Sequence, residues 1–171
     1  MDYNNYNGNR EFKQNKFQNN NQGNSINRHF EEPKPNIHFE NDEIVGDNNK
    51  NYVDVAKDVI EKLKNKGDLN DKKLTTSKIR SIMSMIAEIY KLVIMNTEQK
   101  ISTEIISKLQ YFKIRCLYEA GREQAVKDFV DKSNIVELIK EIADSRKKLI
   151  NYYHYIEALV AWFKYSGGKE N

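Results

Sequence analysis

The chain has 171 residues, enough for one domain or for one domain and a tail. Lys and Arg number 28 against 25 Asp and Glu, so the net charge of +3 excludes a uniformly polybasic nucleic-acid-binding protein. The single cysteine, Cys116, excludes an internal disulfide and a cysteine-based zinc site. The longest apolar run, Ala158–Phe163, is too short to span a bilayer, and the N-terminus has no signal-peptide pattern. We therefore expect a soluble cytoplasmic protein that does not bind a membrane.

The composition of residues 1–50 differs from that of the rest of the chain. This segment holds 14 Asn and both prolines and has a net charge of −2, whereas the remaining residues carry +5. So polar a segment cannot bury enough surface to offset its ordering entropy. The sequence predicts a disordered Asn-rich tail over residues 1–50 and a helical domain over residues 51–171. Within the tail, Ile37–Phe39 and Ile44–Val45 are weak exceptions that could pack loosely on the domain.

Beyond the tail, apolar residues recur three or four positions apart, which is the helical period. The first such segment predicts a helix over 51–66 that ends at Gly67 and is followed by a polar loop over 68–75. The second predicts a helix that a Thr or Ser at 75–77 caps and that runs to about Met95. Its apolar arc comprises Ile79, Ile82, Met83, Ile86, Ile89, Tyr90 and Val93.

The remaining segments predict three further elements. A third helix starts near Thr97 and ends or bends at Gly121, and a short fourth helix follows. A fifth element, capped by Ser133 or Asn134, has a pattern that falters at 144–146 and then resumes as far as Gly167–Gly168. No stretch shows the sustained alternation of a strand, so the sequence predicts an all-α bundle of five or six helices. The apolar arc of the third helix comprises Ile101, Ile105, Ile106, Leu109, Phe112, Cys116 and Leu117.

The sequence shows no converging cluster of the polar groups that hydrolysis or phosphoryl transfer requires. His154 and Glu157 share a helix face, but no second pair of ligands accompanies them, so a structural histidine is favoured over a metal site. Cys116 lies on an apolar arc and is expected to be a small core residue rather than a nucleophile. No glycine-rich phosphate loop is present. We therefore predict a protein without enzyme activity and without a cofactor.

Basic residues occupy the outward face of the second predicted helix. Arg80, Ser84 and Lys91 fall within about 40° of each other on a helical projection, and Lys78 flanks them. Regularly spaced cations fit a polyanion whose phosphates are also regularly spaced, and the arginine fork can hold two phosphate oxygens. A solvated helix face explains the same pattern, and on the pattern alone it is the more frequent case.

A second basic face lies on the third predicted helix. Lys108, Tyr111 and Arg115 share a narrow outward arc, and Arg122 extends this arc if the helix continues far enough. Cations mixed with a tyrosine fit a nucleic-acid strand, although a solvated face with internal ion pairs remains open. Lys113 differs because it falls inside the apolar arc, so either its stem snorkels outward or it faces a partner.

Large rings are dense between residues 152 and 165. Tyr153 and Phe163 fit the inward face of the last helix, whereas Tyr152, Tyr155 and Trp162 are expected to point elsewhere. Outward rings could stack on bases or on a neighbouring subunit. Packing against a second layer of helices is the more frequent role for such rings.

Three segments resemble one protein family. The runs TTSKIRSIMSMI at 75–86, LQYFKIRCLYEAGRE at 109–123 and YYHYIEALVAWFKYSGGK at 152–169 occur in the order and spacing of that family. The family is the small subunit of the type III-A, or Csm, CRISPR effector complex. The resemblance covers residues from about 51 to 171, and the Asn-rich tail has no counterpart in it.

The resemblance implies a helical, non-catalytic subunit whose copies stack as an inner filament of the complex. The copies would line the channel that holds the CRISPR RNA and its paired target RNA, in contact with the backbone and large subunits, to which the cleavage activities belong. Guide pairing would read the sequence while the protein holds the backbone. The residues predicted to contact phosphates are Lys78, Arg80, Lys113, Arg115 and Arg122, with Lys164 a weaker candidate.

Two other functions are weighed against this one. A DNA-binding regulator could use residues 75–91 as a recognition helix, but the eight-residue loop before it exceeds the turn of a typical helix-turn-helix. A metal-dependent nuclease would need a cluster of ligands that the sequence does not display. Binding of duplex DNA by the isolated protein would favour the first, and metal-dependent cleavage that His154→Ala abolishes would favour the second.

Overall fold

The computed structural model describes residue 1, residues 34–65 and residues 74–168. Over these residues the chain forms six α-helices and one two-stranded hairpin, all within the unit Pro33–Asn171. The predicted all-α bundle is therefore confirmed. The helices are α1 Tyr52–Asn65, α2 Thr76–Ile94, α3 Thr103–Arg122, α4 Gln124–Ser133, α5 Ile135–Ile142 and α6 Arg146–Tyr165.

A short hairpin precedes the first helix. Strands β1, His38–Glu40, and β2, Glu43–Val45, pair antiparallel through a two-residue turn. Asn41 and Asp42 in this turn have φ values of 48° and 67°. Two positive φ values give the turn a twist that matches the twist of the strands, and Asn and Asp tolerate this conformation better than most residues.

The hairpin is packed on the helices. Ile37 and Ile44 are 5% and 1% exposed and belong to the core. The side chain of Asn134 donates a 2.7 Å hydrogen bond to the carbonyl of Ile37. Residues 34–50, which the composition assigned to a disordered tail, are thus folded, because two buried isoleucines anchor an otherwise polar segment. The rest of the predicted tail, residues 2–33, lies outside the described residues.

Helices α2 and α6 pack antiparallel along their whole length. At one end the Thr76 hydroxyl donates to the carbonyl of Gly168 at 3.3 Å. At the other end the Arg146 Nε donates to the carbonyl of Val93 at 3.2 Å. Helix α6 also packs against α1 and α5, and it therefore lies in the centre of the bundle.

The central position of α6 explains which of its tyrosines are buried. Tyr152 and Tyr155 are fully buried and donate hydrogen bonds to the carbonyls of Ile135 at 2.8 Å and Ser133 at 2.9 Å. The prediction that these two tyrosines point outward is therefore wrong, and Tyr153, predicted to be inward, is only half-buried. Because helices pack on three sides of α6, its apolar residues do not form a single arc. The inward face that sequence periodicity indicates therefore differs from the buried face by about one residue position.

Helix α3 starts later than predicted. Its first residue is Thr103, six residues beyond the start predicted near Thr97, and the hydroxyl of Ser102 caps it by accepting a 3.3 Å hydrogen bond from the amide of Ile105. The intervening segment is not helical, and the amide of Ile101 donates to the carbonyl of Asp144 at 2.9 Å. This pairing with the α5–α6 turn replaces the first helical turn that the apolar period indicated.

The fifth predicted element is two helices. Ala143, with φ 49° and ψ −110°, ends α5, and Ser145 caps α6 by accepting from the amide of Lys148 at 3.2 Å. The interruption coincides with the faltering pattern at 144–146. Among the described residues, no helix combines the length and the apolar composition needed to cross a membrane.

Candidate nucleic-acid interface

Three of the predicted contact residues lie near one end of the bundle, where α2 begins and α3 and α6 end. We call this region the α2 end. Lys78, in the first turn of α2, forms an ion pair with Glu123, which directly follows α3. Arg80 lies one half-turn further on and is exposed, and Lys164 lies exposed in the last turn of α6. The antiparallel packing of α2 and α6 thus brings Lys164 to the same end of the bundle as Lys78 and Arg80, although it is more than 80 residues away in sequence.

Two arginines of α3 share one carboxylate. The Arg115 guanidinium donates to Oε1 of Glu119 at 3.2 Å, and the Arg122 guanidinium donates to Oε2 of the same residue at 3.4 Å. The two arginine side chains are 39% and 59% exposed. Three charged groups therefore carry a net charge of +1 at the surface, and the arginines are held in place by the acid between them.

An exposed tyrosine lies between these arginines. The guanidinium carbons of Arg115 and Arg122 lie 5.4 Å and 5.6 Å from the ring centre of Tyr118, which is 54% exposed. Tyr111 is 63% exposed one heptad earlier. The outward arc of α3 is therefore longer and more aromatic than predicted. We call it the α3 stripe, and its members are Lys108, Tyr111, Arg115, Tyr118 and Arg122.

Tyr118 was not among the residues predicted on this arc, although its spacing along the helix indicated it. The members of the α3 stripe are three and four residues apart in alternation, which keeps them on one helix face. Outside the stripe, Ile114 and Leu117 are also 60% and 49% exposed. Leu117 was predicted to be a core residue, and this is wrong because it lies about 60° outside the arc that α3 buries.

Lys113 does not belong to the α3 stripe. It is half-buried and lies on the side of α3 that faces α5. The pKa of Glu137 on α5 is lowered mainly by the hydrogen bond from Lys140 and, to a smaller extent, by the charge of Lys113. Lys113 and Arg115 thus lie on different faces of α3.

The two groups that could carry chemistry differ in burial, since Cys116 is buried and His154 is half-buried. Burial of Cys116 raises the pKa of its thiol to about 12, so the thiol stays protonated at neutral pH, and the prediction of a core cysteine is confirmed. His154 lies among aromatic rings, 6.5 Å and 6.0 Å from the ring centres of Tyr52 and Tyr90. Within residues 34–65 and 74–168, His, Cys, Asp and Glu form no group of three that could hold a metal ion.

The first turn of α2 is not presented as a DNA-recognition helix would be. Thr75 and Thr76 are each 2% exposed, because this turn packs against the end of α6. A recognition helix inserts its N-terminal residues into the major groove, which requires that they project. The structure therefore adds no support to the regulator hypothesis. Most of the polar loop predicted over 68–75, whose length weighs against that hypothesis, lies outside the described part of the chain.

Comparison with known proteins identifies the family. Residues 57–169 match the family model described as Csm2 Type III-A. The chain belongs to the Csm2 family. A relative from Streptococcus thermophilus, named CRISPR system Cms protein Csm2, is 41% identical over 122 residues, which are 70% of this chain and 94% of the relative.

Two other relatives carry the same name. The protein from Mycobacterium tuberculosis strain H37Rv is 34% identical over 101 residues, covering 59% of this chain and 82% of its own length. The protein from Enterococcus italicus is 34% identical over 94 residues, covering 54% and 67%. Family membership makes this chain a small subunit of a type III-A CRISPR complex, and the matched residues 57–169 include every predicted phosphate-contact residue.

Proposed function

We propose that this Csm2-family subunit is a non-catalytic protein that holds the sugar–phosphate backbone of the CRISPR RNA and its paired target RNA. In an RNA-guided complex base pairing reads the sequence, so the protein needs only shape and charge. The observation that carries the proposal is the exposed α3 stripe. Its cations are seven residues apart, which is about 10.5 Å along a helix, and tyrosines lie between them.

The ion pairs of the stripe do not oppose this role. Exposed pairs of this kind contribute only about 0–1 kcal/mol, so a phosphate can take the place of Glu119 beside either arginine. In the absence of RNA, Glu119 holds the guanidinium groups of Arg115 and Arg122 in one orientation. Binding RNA then requires less ordering of flexible side chains.

The other predicted contact residues differ in whether their position extends the RNA-binding surface of the α3 stripe. Lys78, Arg80 and Lys164 lie at the α2 end, toward which the α3 stripe runs, and they would continue its contact with RNA. Lys113 stays a prediction, since its placement toward α5 gives it no additional support.

We propose that several copies stack head to tail beside the backbone and large subunits in the cytoplasm. Weak contacts from each copy then add up through avidity along one RNA. The exposed Ile114 and Leu117, which lie on α3 outside the stripe, are candidate contacts between copies or subunits. Tyr155, which was considered for this role, is buried and unavailable.

The test is charge reversal in the assembled complex. Arg80→Glu, Arg115→Glu and Arg122→Glu together should weaken target-RNA binding at least about tenfold, because each removes a phosphate contact and adds repulsion. Lys140→Glu on α5 is the matched control, since its side chain is 59% exposed, as is that of Arg122, and is also paired with a glutamate. Full RNA binding by the triple variant would refute the proposal.

A further inference from the structure

A cavity of about 280 Å³ opens beside the first turn of α2, between this helix, α3 and α4. Three hydroxyl side chains and one ammonium contribute to its wall. The residues that line it are Thr75, Ser77, Lys78, Ser81, Ile82, Glu119 and Val126. Hydrogen-bond donors predominate among the polar groups of this set.

Thr75 on the wall of this cavity has a polar atom without a partner. The residue is 2% exposed, and within the described part of the chain its Oγ1 makes no hydrogen bond. Thr75 is the N-cap of α2, yet its side chain does not cap the helix, whereas Ser102 caps α3 and Ser145 caps α6. Buried hydroxyls are nearly always paired, so an unpaired one on a cavity wall points to a partner in the cavity, which a water molecule or a ligand can provide.

The start of α2 also supplies backbone donors. The amides of Lys78 and Ile79 both donate to the carbonyl of Thr75, at 3.2 Å and 3.3 Å. The amide of Ser77 has no such partner in the described part of the chain. An N-terminal helical turn with an unpaired amide attracts anions, because its N–H groups and the helix dipole point the same way.

We propose that this cavity binds one phosphate group, and that in the complex the phosphate belongs to the RNA backbone. The donors would be the Ser77 amide and the hydroxyls of Thr75, Ser77 and Ser81, with Lys78 at the rim. This inference rests on the proposed function, because RNA supplies the phosphate. It adds a specific pocket for one backbone group to a surface that otherwise attracts RNA through general charge.

Two described carboxylates near the cavity are already paired with cations. Glu119, which lines it, holds Arg115 and Arg122, and Glu123 holds Lys78. These five side chains together carry +1, so an entering phosphate meets a positive field. The site does not require Lys78 to be unpaired, since the hydroxyl and amide donors act independently of it.

Inorganic phosphate is the first probe, titrated into the full chain at constant ionic strength and followed by amide chemical shifts. The Ser77 and Lys78 amides should shift saturably, while the Thr103 and Glu104 amides of α3, whose start Ser102 caps, should not. Thr75→Val should weaken phosphate binding roughly tenfold without lowering the unfolding temperature, because the hydroxyl has no partner to lose.

Ser81→Ala, an exposed position on the same wall, is a second variant and should weaken phosphate binding by a smaller factor. The absence of a saturable shift, or unchanged affinity in both variants, would overturn the proposal. A short single-stranded RNA should compete with phosphate for the same amides. Binding of free phosphate without such competition would overturn the assignment to RNA.

The two proposals fail separately. If charge reversal at Arg115 and Arg122 abolishes RNA binding while Thr75→Val and Ser81→Ala change neither RNA nor phosphate affinity, only the cavity is refuted. If the cavity binds phosphate and RNA competes for it, but charge reversal leaves RNA binding intact, only the proposed α3 contact surface is refuted.

Discussion

Lys78 at the start of α2 and Glu123, directly after α3, form an ion pair that joins two segments predicted to contact RNA. Their side chains are 31% and 37% exposed, so water screens the pair, and we expect it to stabilise the fold by no more than about 1 kcal/mol. The pair therefore positions Lys78 more than it stabilises the bundle. A phosphate that approaches the α2 end competes with Glu123 for the ammonium group.

This competition predicts that Glu123→Gln strengthens RNA binding. The variant keeps the size of the side chain but removes the charge that opposes phosphate, so the affinity of the assembled complex for target RNA should rise about threefold at fixed salt. The control is Asp144→Asn, which releases Lys100 at the opposite end of the bundle. An equal gain in both variants, measured by RNA titration, would show that the effect reflects net charge alone.

A second prediction concerns the strained turn between α5 and α6. Ala143 has φ 49° and ψ −110°, a backbone conformation that a side chain makes costly and that glycine adopts readily. Ala143→Gly should therefore raise the free energy of unfolding by about 1 kcal/mol, as measured by urea denaturation. The same substitution at the exposed Ala161 inside α6 should lower the free energy of unfolding by about 1 kcal/mol. Destabilisation by both would contradict the assignment of strain.

How well the fold could be predicted depended on whether local pattern or distant contact decided each element. Helix α2 was predicted closely, because its buried positions, such as Ile79 and Ile86, follow one unbroken helical period. The start of α3 could not be predicted, because the amide of Ile101 donates a hydrogen bond to the carbonyl of Asp144, which is distant in sequence. The hairpin escaped notice because its turn is Asn41-Asp42 rather than a pair ending in glycine.

A third prediction concerns alkaline pH. Burial raises the pKa of Cys116 from 9.0 to about 12, so the folded state keeps the thiol proton while the unfolded state loses it first. The contribution of Cys116 to stability is constant below about pH 9 and falls as the pH rises toward 12. Burial also raises the pKa of Tyr152 and Tyr155, which act in the same direction.

The variant Cys116→Ala isolates the thiol. It should be less stable than the parent at pH 7 because it leaves a cavity, but its stability should decline less steeply with pH. Urea denaturation at pH 7, 9.5 and 11 should show that the difference in the free energy of unfolding between the parent and the variant becomes smaller as the pH rises. A difference that stays constant over this range would mean that the thiol is not buried as described.

The candidate interface was predictable only in outline. The heptad spacing of Lys108, Arg115 and Arg122 placed these cations on one face, which the structure confirms as exposed. The position of Glu119 between two guanidinium groups could not be predicted from the sequence, because the side chains of Arg115 and Arg122 could each have adopted a rotamer that points away from it. The unpaired hydroxyl of Thr75 is a property of the packed structure, and no sequence pattern indicates it.

The most direct measurement of the central claim is the salt dependence of target-RNA binding by the assembled complex. If Arg115 and Arg122 each contact one phosphate, then Arg115→Gln and Arg122→Gln should separately reduce the slope of log affinity against log salt concentration by about one. Lys140→Gln should leave this slope unchanged. Slopes identical to the parent's for both arginine variants would contradict the account, because these side chains would then displace no counterions from RNA.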